Sequence, residues 1–358
     1  AQKGGKMYSK YLFVGLGGSG GKTLRFLKRD IKKWMSKNGI DDPVIPEAWQ
    51  FLHIDTPTNP DGTELNSIVP QLAADEYLGL IGPGLGIDEV QQALDHNPNY
   101  ATEQESWRVN PQGLNIGLSK GAGQYRAIGR TVAIWGADRI RQQLNRNLTR
   151  LGGAQVNGEL GELFGKVTGE TPEGEPPLRI VVVSSLAGGS GAGLLTDVCD
   201  IIRALSPNEG SEIFGVLYTP EVFQALGADA TGGVQPNTLA AISEVLNGHW
   251  YGGDPLYDST TISATTVPQI QDKVLQSIGL AESLERSGPA YPFLIGRVGE
   301  GGVDHGTPER LFEMVGRSML SWLTSPSVDS RFVAFTIGNW HQGAKKRAAT
   351  TQKDILVN

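Results

Sequence analysis

The stretch Leu178 to Asp200, LRIVVVSSLAGGSGAGLLTDVCD, constrains the fold of this 358-residue chain more than any other. Ile180 to Val183 is a β-branched run of the kind buried on both faces of a parallel sheet. Leu194, Leu195, Val198, Ile201, Ile202 and Leu205 then recur at helical spacing. The segment reads as a strand, a tight loop and a helix. Within the loop, Gly188, Gly189, Gly191 and Gly193 leave the backbone bare, and the helix start offers unpaired N–H groups at the positive end of its dipole. Such a loop seats a phosphate, although a plain glycine turn closing a βαβ unit would use the same residues.

A second loop of this kind follows the strand predicted at Tyr11 to Val14. It runs Gly15-Leu16-Gly17-Gly18-Ser19-Gly20-Gly21 and leads into a helix with Leu24, Leu27, Ile31, Trp34 and Met35 on one face. Gly15, Gly17 and Gly20 spell the G-x-G-x-x-G of a dinucleotide site, and Gly21-Lys22-Thr23 suggests a P-loop. The P-loop fails on spacing, because the glycine needed five residues before Gly21 is Leu16. A third glycine turn, Gly121-Ala122-Gly123, precedes a helix with Ala133, Ala137, Ile140, Leu144 and Leu148 inward and Arg139, Arg141 and Arg146 outward. Arg126 and Arg130 stand at its mouth, either as phosphate ligands or as ordinary solvated charges.

Composition narrows the function classes. The formal net charge is -7 with basic residues scattered among acidic ones, so nucleic acid is not an expected partner. The single cysteine, Cys199, allows no internal disulfide and fits a reducing cytoplasm. No apolar run approaches the roughly 18 residues of a membrane span, and Ala1 to Lys6 reads as a leader. The histidines His53, His96, His249, His305 and His341 are dispersed without zinc-ligand spacing.

Further strands are predicted at Trp49 to Ile54, Glu212 to Tyr218 and Tyr291 to Val298, and one more at Phe332 to Ile337. Residues 60–113 and 248–289 read as irregular insertions, and 151–177 as a solvent-exposed connection. Thr307-Pro308-Glu309 starts a long helix, 307–324, with Leu311, Val315, Met319, Trp322 and Leu323 on one face. The expected fold is α/β, a mostly parallel Rossmann-like sheet with helices on both faces. In such a sheet the C-terminal ends of the strands share one edge, so the glycine turns would gather on a single polyphosphate.

The loop Ala187 to Gly193 resembles the glycine signature of the tubulin and FtsZ superfamily, with Ala187 for its first glycine and Ser190 keeping the hydroxyl of its usual threonine. The run at 15–21, including Gly18 and Ser19, is similar to the first nucleotide loop of that superfamily. Asp55-Thr56 resembles its short polar loop at nucleotide or metal, and Gly121-Ala122-Gly123 the loop set against the terminal phosphate. Thr219-Pro220-Glu221 and Pro236-Asn237-Thr238 are similar to the ribose side. Asp55, Thr56 and Asn237 are equally suited to capping, which for Asn237 is the general preference. Where tubulins place a base-reading asparagine this chain has Arg297-Val298-Gly299-Glu300, so Arg297 or Glu300 would face the base and guanine specificity stays open. Ser327-Val328-Asp329 is similar in position to the loop that donates a catalytic acid to the neighbouring subunit, though without its second acid; a helix-ending turn explains it as well.

The resemblance implies a nucleotide-binding domain over 7–305, a core helix over 306–325, and the start of a short or truncated second domain or a tail over 326–358. It implies GTP or GDP, with ATP as the alternative, together with Mg²⁺. It also implies a cytoplasmic, bacterial-type GTPase that assembles head to tail into filaments, with Asp329 completing the site of the next copy. A non-hydrolysing nucleotide-binding switch or scaffold is the second reading. An NAD-dependent oxidoreductase, resting on Gly15, Gly17 and Gly20 alone, is a distant third.

Overall fold

The computed structural model describes residues 7–60, 69–97, 107–108, 118, 121–210, 212–226, 232–250, 274–280 and 287–338. The expected leader and tail, and much of the two expected insertions, lie outside the described residues. Six strands form one sheet: β1 (Lys10–Leu16), β2 (Trp49–Asp55), β3 (Tyr77–Gly79), β4 (Leu178–Ser185), β5 (Phe214–Tyr218) and β6 (Tyr291–Ile295). Their order is β3-β2-β1-β4-β5-β6, with every pairing parallel. Parallel neighbours require crossovers, and helices supply them on both faces.

The helices that matter here are α1 (Gly17–Lys37), α2 (Ile87–Asp95), α3 (Arg126–Trp135), α4 (Ala137–Leu151), α5 (Ala154–Thr168), α6 (Gly189–Leu205), α7 (Val234–Trp250) and α8 (Pro308–Thr324), then α9 over 326–338. The two-residue period of β1 divides them. Leu12, Val14 and Leu16 join one core with α2, α3, α4, α6 and α7. Tyr11 and Phe13 join the other, with α1, α5 and α8. Residues 189–203 of α6 are all buried, including the polar Asp197, Asp200 and Arg203. At the start of α8, Thr307 accepts from the Arg310 N–H at 3.4 Å and Pro308 follows in the first turn. Gly316 lets α8 lie against α1, where an added Cβ would stand 3.1 Å from Leu27 N.

Four local expectations are corrected. Residues 151–177 contain α5, whose Val156, Leu160, Leu163 and Phe164 are buried, with Phe164 edge-on to Tyr8 at 5.1 Å; glycine and glutamate between these positions dilute the helical pattern. Phe332 to Ile337 is helical, with the Thr336 hydroxyl donating to Phe332 O at 2.8 Å and Phe332 stacked on Trp322 at 4.3 Å. Six residues of alternation do not separate a strand from a helix face. The single helix expected after residue 126 breaks at Gly136, where Leu80 packs so closely that a Cβ would meet its Cδ2 at 2.8 Å. Finally, β3 arises inside the stretch read as an insertion and extends the sheet beyond β2. Among the described residues no helix is long and apolar enough to cross a membrane.

Candidate functional site

The strand order reverses between β1 and β4, the point at which open α/β sheets bind ligands. Each of these strands ends in a glycine loop that opens a helix. Neither Leu16, the N-cap of α1, nor Gly188, the N-cap of α6, offers a side-chain cap, and neither first turn holds an acid. Both helix starts therefore keep a positive dipole end with no acid of their own to offset it. The loops touch: Gly17 has a left-handed φ of +63°, and a Cβ there would lie 2.7 Å from Gly191 N.

The third glycine turn packs on the second. Gly189 N–H donates to Gly123 O at 2.9 Å, and Gly129 of α3 lies so close to Gly189 O that any Cβ would overlap it. Ser190 Oγ lies 2.9 Å from Thr56 Oγ1 and accepts from Ala122 N–H at 3.4 Å, so one hydroxyl joins the ends of β2 and β4 to the 121–123 turn. Asp55 Oδ1 accepts from Thr56 N–H at 2.7 Å. Asn237 is bound by neither capping nor solvent. Its Nδ2 donates to Gln124 O at 2.6 Å and Ala187 O at 3.0 Å, bridging two loops from α7.

The flank beyond β5 holds Thr219 and Glu221. Thr219 donates from N to Ile295 O at 3.0 Å, and its hydroxyl donates to Glu221 while lying 3.2 Å from Ile295 O. Arg297 forms a two-pronged pair with Asp304, 2.7 Å from Nε and 2.5 Å from Nη2, in a turn closed by the Val298–Asp304 bridge. The Arg297 hydrogen bonds hold the Asp304 carboxyl well below the usual carboxylate range. The side chain of Glu300 lies outside the described residues.

Three expected residues stand elsewhere than the sequence suggests. Arg126 turns from the glycine loops to an ion pair with Glu244 of α7, whose other oxygen lies 3.4 Å from Arg130 Nη1. Arg130 is buried, with its guanidinium 5.3 Å from the Trp107 ring and Nε 3.7 Å from Asp197. Burial raises the Asp197 carboxyl pKa against the opposing pull of Arg130. Asp329 lies inside α9, not on a loop, and is 3% exposed. It accepts from Ser9 Oγ at 2.8 Å, from the Tyr11 hydroxyl, and from Arg179 Nη2 at 3.5 Å. Tyr11 and Arg179 lie at the starts of β1 and β4, so Asp329 sits at the opposite end of the sheet from the glycine turns. Burial first, and the neighbouring Asp329 second, push the Tyr11 phenol well above its usual value.

One buried residue beside the loops escaped the sequence reading. His53, at the C-terminal end of β2, is 4% exposed and reaches both Gly17 and Asp55. A histidine in an apolar strand is the only signal it leaves. Among the described residues no cluster of three acid, histidine or cysteine side chains is placed to hold a metal ion by itself. Asp55, at the end of β2, is the carboxylate beside the converged loops.

A parallel sheet whose strand order reverses between two central strands, each ending in an open glycine turn, defines a doubly wound α/β protein. A family model described as tubulin like matches residues 12–354, and the chain belongs to that tubulin-like family. A solved structure of CetZ2 from Haloferax volcanii, a GTPgS-bound protofilament, is similar over 88% of this chain and 58% of that one, with 15% identity and a TM-score of 0.41. None of the curated proteins compared matches the sequence.

Proposed function

We propose that this tubulin-like chain binds a nucleoside triphosphate, GTP before ATP, with the phosphates on the N–H groups of residues 17–20, 188, 190 and 191; Mg²⁺ would be held by the phosphates beside Asp55 and would neutralise their charge. Copies then associate head to tail, and hydrolysis is completed at the contact between them. The observation that supports the reading is the direct approach of Gly17 to Gly191 at the strand-order reversal, which brings two uncapped helix starts side by side. The dinucleotide alternative needs one glycine turn and leaves the packed turn at 121–123 without a role. The first test is the mass of the nucleotide released from denatured, purified protein: a guanine nucleotide supports the reading, and a nicotinamide overturns it. Turnover per subunit that rises with protein concentration supports the shared site; concentration-independent turnover counts against it.

A nucleotide-binding switch without hydrolysis is the second reading, and the burial of Asp329 under three donors favours it. For that carboxylate to orient a water on a neighbour's nucleotide, α9 must first release it. GTP recovered intact after long incubation of concentrated protein selects this reading.

A further inference from the structure

Behind the converged loops, His53 stands between β2 and the start of α1. Its Nε2 lies 3.0 Å from Gly17 O and 3.6 Å from Asp55 Oδ2. A carbonyl oxygen only accepts, so Nε2 carries the proton and donates it to Gly17. The ring fits because Gly21, one turn along α1, has no side chain: a Cβ there would stand 2.5 Å from both ring nitrogens. On its other side Tyr77 of β3 meets the ring edge-on at 5.1 Å. His53 is thus fixed from three directions and grips one backbone oxygen of the first glycine loop.

The direction of that grip has a consequence at the next residue. Gly17 O and Gly18 N–H belong to one planar trans peptide and point opposite ways. Holding the oxygen back toward β2 aims the Gly18 N–H the opposite way, and Gly18 itself is uncrowded, with no protein atom within 4 Å of where a Cβ would stand. We infer that His53 is a positioning residue for the polyphosphate, orienting the Gly17–Gly18 peptide so that its N–H faces the bound anion. The inference rests on the phosphate seat proposed above and adds a residue outside every glycine loop. It acts through the backbone and touches no ligand.

The test uses the full chain and a fluorescent N-methylanthraniloyl GTP with Mg²⁺, with melting temperature measured on the same samples. His53→Gln carries an amide N–H to the place of Nε2; His53→Leu fills the space without a donor. His53→Gln is expected to bind within about threefold of the parent and His53→Leu about tenfold more weakly, the loss of one oriented hydrogen bond to an anion. Equal affinities in all three proteins overturn the inference, as does a His53→Gln variant as weak as His53→Leu. Gly21→Ala, which drives the ring off Gly17, is expected to weaken binding similarly in the parent and to add nothing to His53→Leu; additive losses overturn the inference too. A parent chain that binds no nucleotide instead overturns the phosphate seat itself.

Discussion

Gly18→Ala separates folding from ligand binding. Gly17 and Gly18 are neighbours at the start of α1, yet a methyl group meets opposite surroundings at each: backbone at 2.7 Å for Gly17, open space for Gly18. At Gly17 the left-handed φ costs a side chain about 1–2 kcal/mol, and the overlap with Gly191 adds about 1–3 kcal/mol. At Gly18 nothing in the protein resists, and replacing a helical glycine with alanine gains up to about 1 kcal/mol. At about 1–1.5 °C per kcal/mol for a chain of this size, Gly17→Ala melts lower by several degrees and Gly18→Ala melts at or slightly above the parent. If the open side of Gly18 is where phosphate lies, its methyl group displaces one charge-assisted hydrogen bond of about 1.5–3 kcal/mol, or roughly ten- to 150-fold in affinity. Differential scanning calorimetry and labelled-GTP titration on one preparation measure both quantities. Gly18→Ala with parental affinity refutes the placement of phosphate on this loop, whatever Gly17→Ala does.

The remaining predictions concern what supports the rim. Asp200 is buried on α6, accepts from Arg203, Ser287 and the Gly288 N–H, and is pushed up to about 6 by burial. A carboxyl whose pKa is raised by folding contributes stability below its ordinary value near 4, and that contribution is lost as pH rises through about 6. Asp200→Asn is therefore expected to flatten the fall in melting temperature between about pH 4 and 6, and an unchanged slope contradicts the assignment. Glu244→Ala leaves Arg126 and Arg130 short of their shared partner and should cost about 3 kcal/mol or more, read in urea melts; a loss under 1 kcal/mol contradicts the buried pairing. Asp329→Ala strips the acceptor from Ser9 and Tyr11 and should cost about 2 kcal/mol or more of stability with labelled-GTP affinity kept; parental stability contradicts its buried place.

Much of the architecture was legible because its elements are extreme in composition. The runs at 11–14, 49–54 and 180–183 are buried on both faces and read as strands, and the glycine turns after the first and third stand out against any background. What stayed hidden depends on contacts between distant residues. β3 is three residues long, and only Leu78 is buried, so no periodicity marks it. The fate of Arg126 is decided by Glu244, 118 residues away, and that of Asp329 by Tyr11, 318 residues away. Asn237 reads as a cap by residue preference, but its amide is drawn to Gln124 and Ala187 because two loops present carbonyls within its reach. His53 is invisible from sequence for the same reason: its role exists only once Gly17 and Gly21 pack against it.

The most direct measurement is an amide-resolved NMR titration of the isotope-labelled chain with GTP and Mg²⁺. The account predicts that the N–H resonances of Gly17, Gly18, Gly188 and Gly191 shift together along one binding isotherm, because both helix starts hold one polyphosphate. Shifts confined to one of the two loops, or two loops with different dissociation constants, would contradict it.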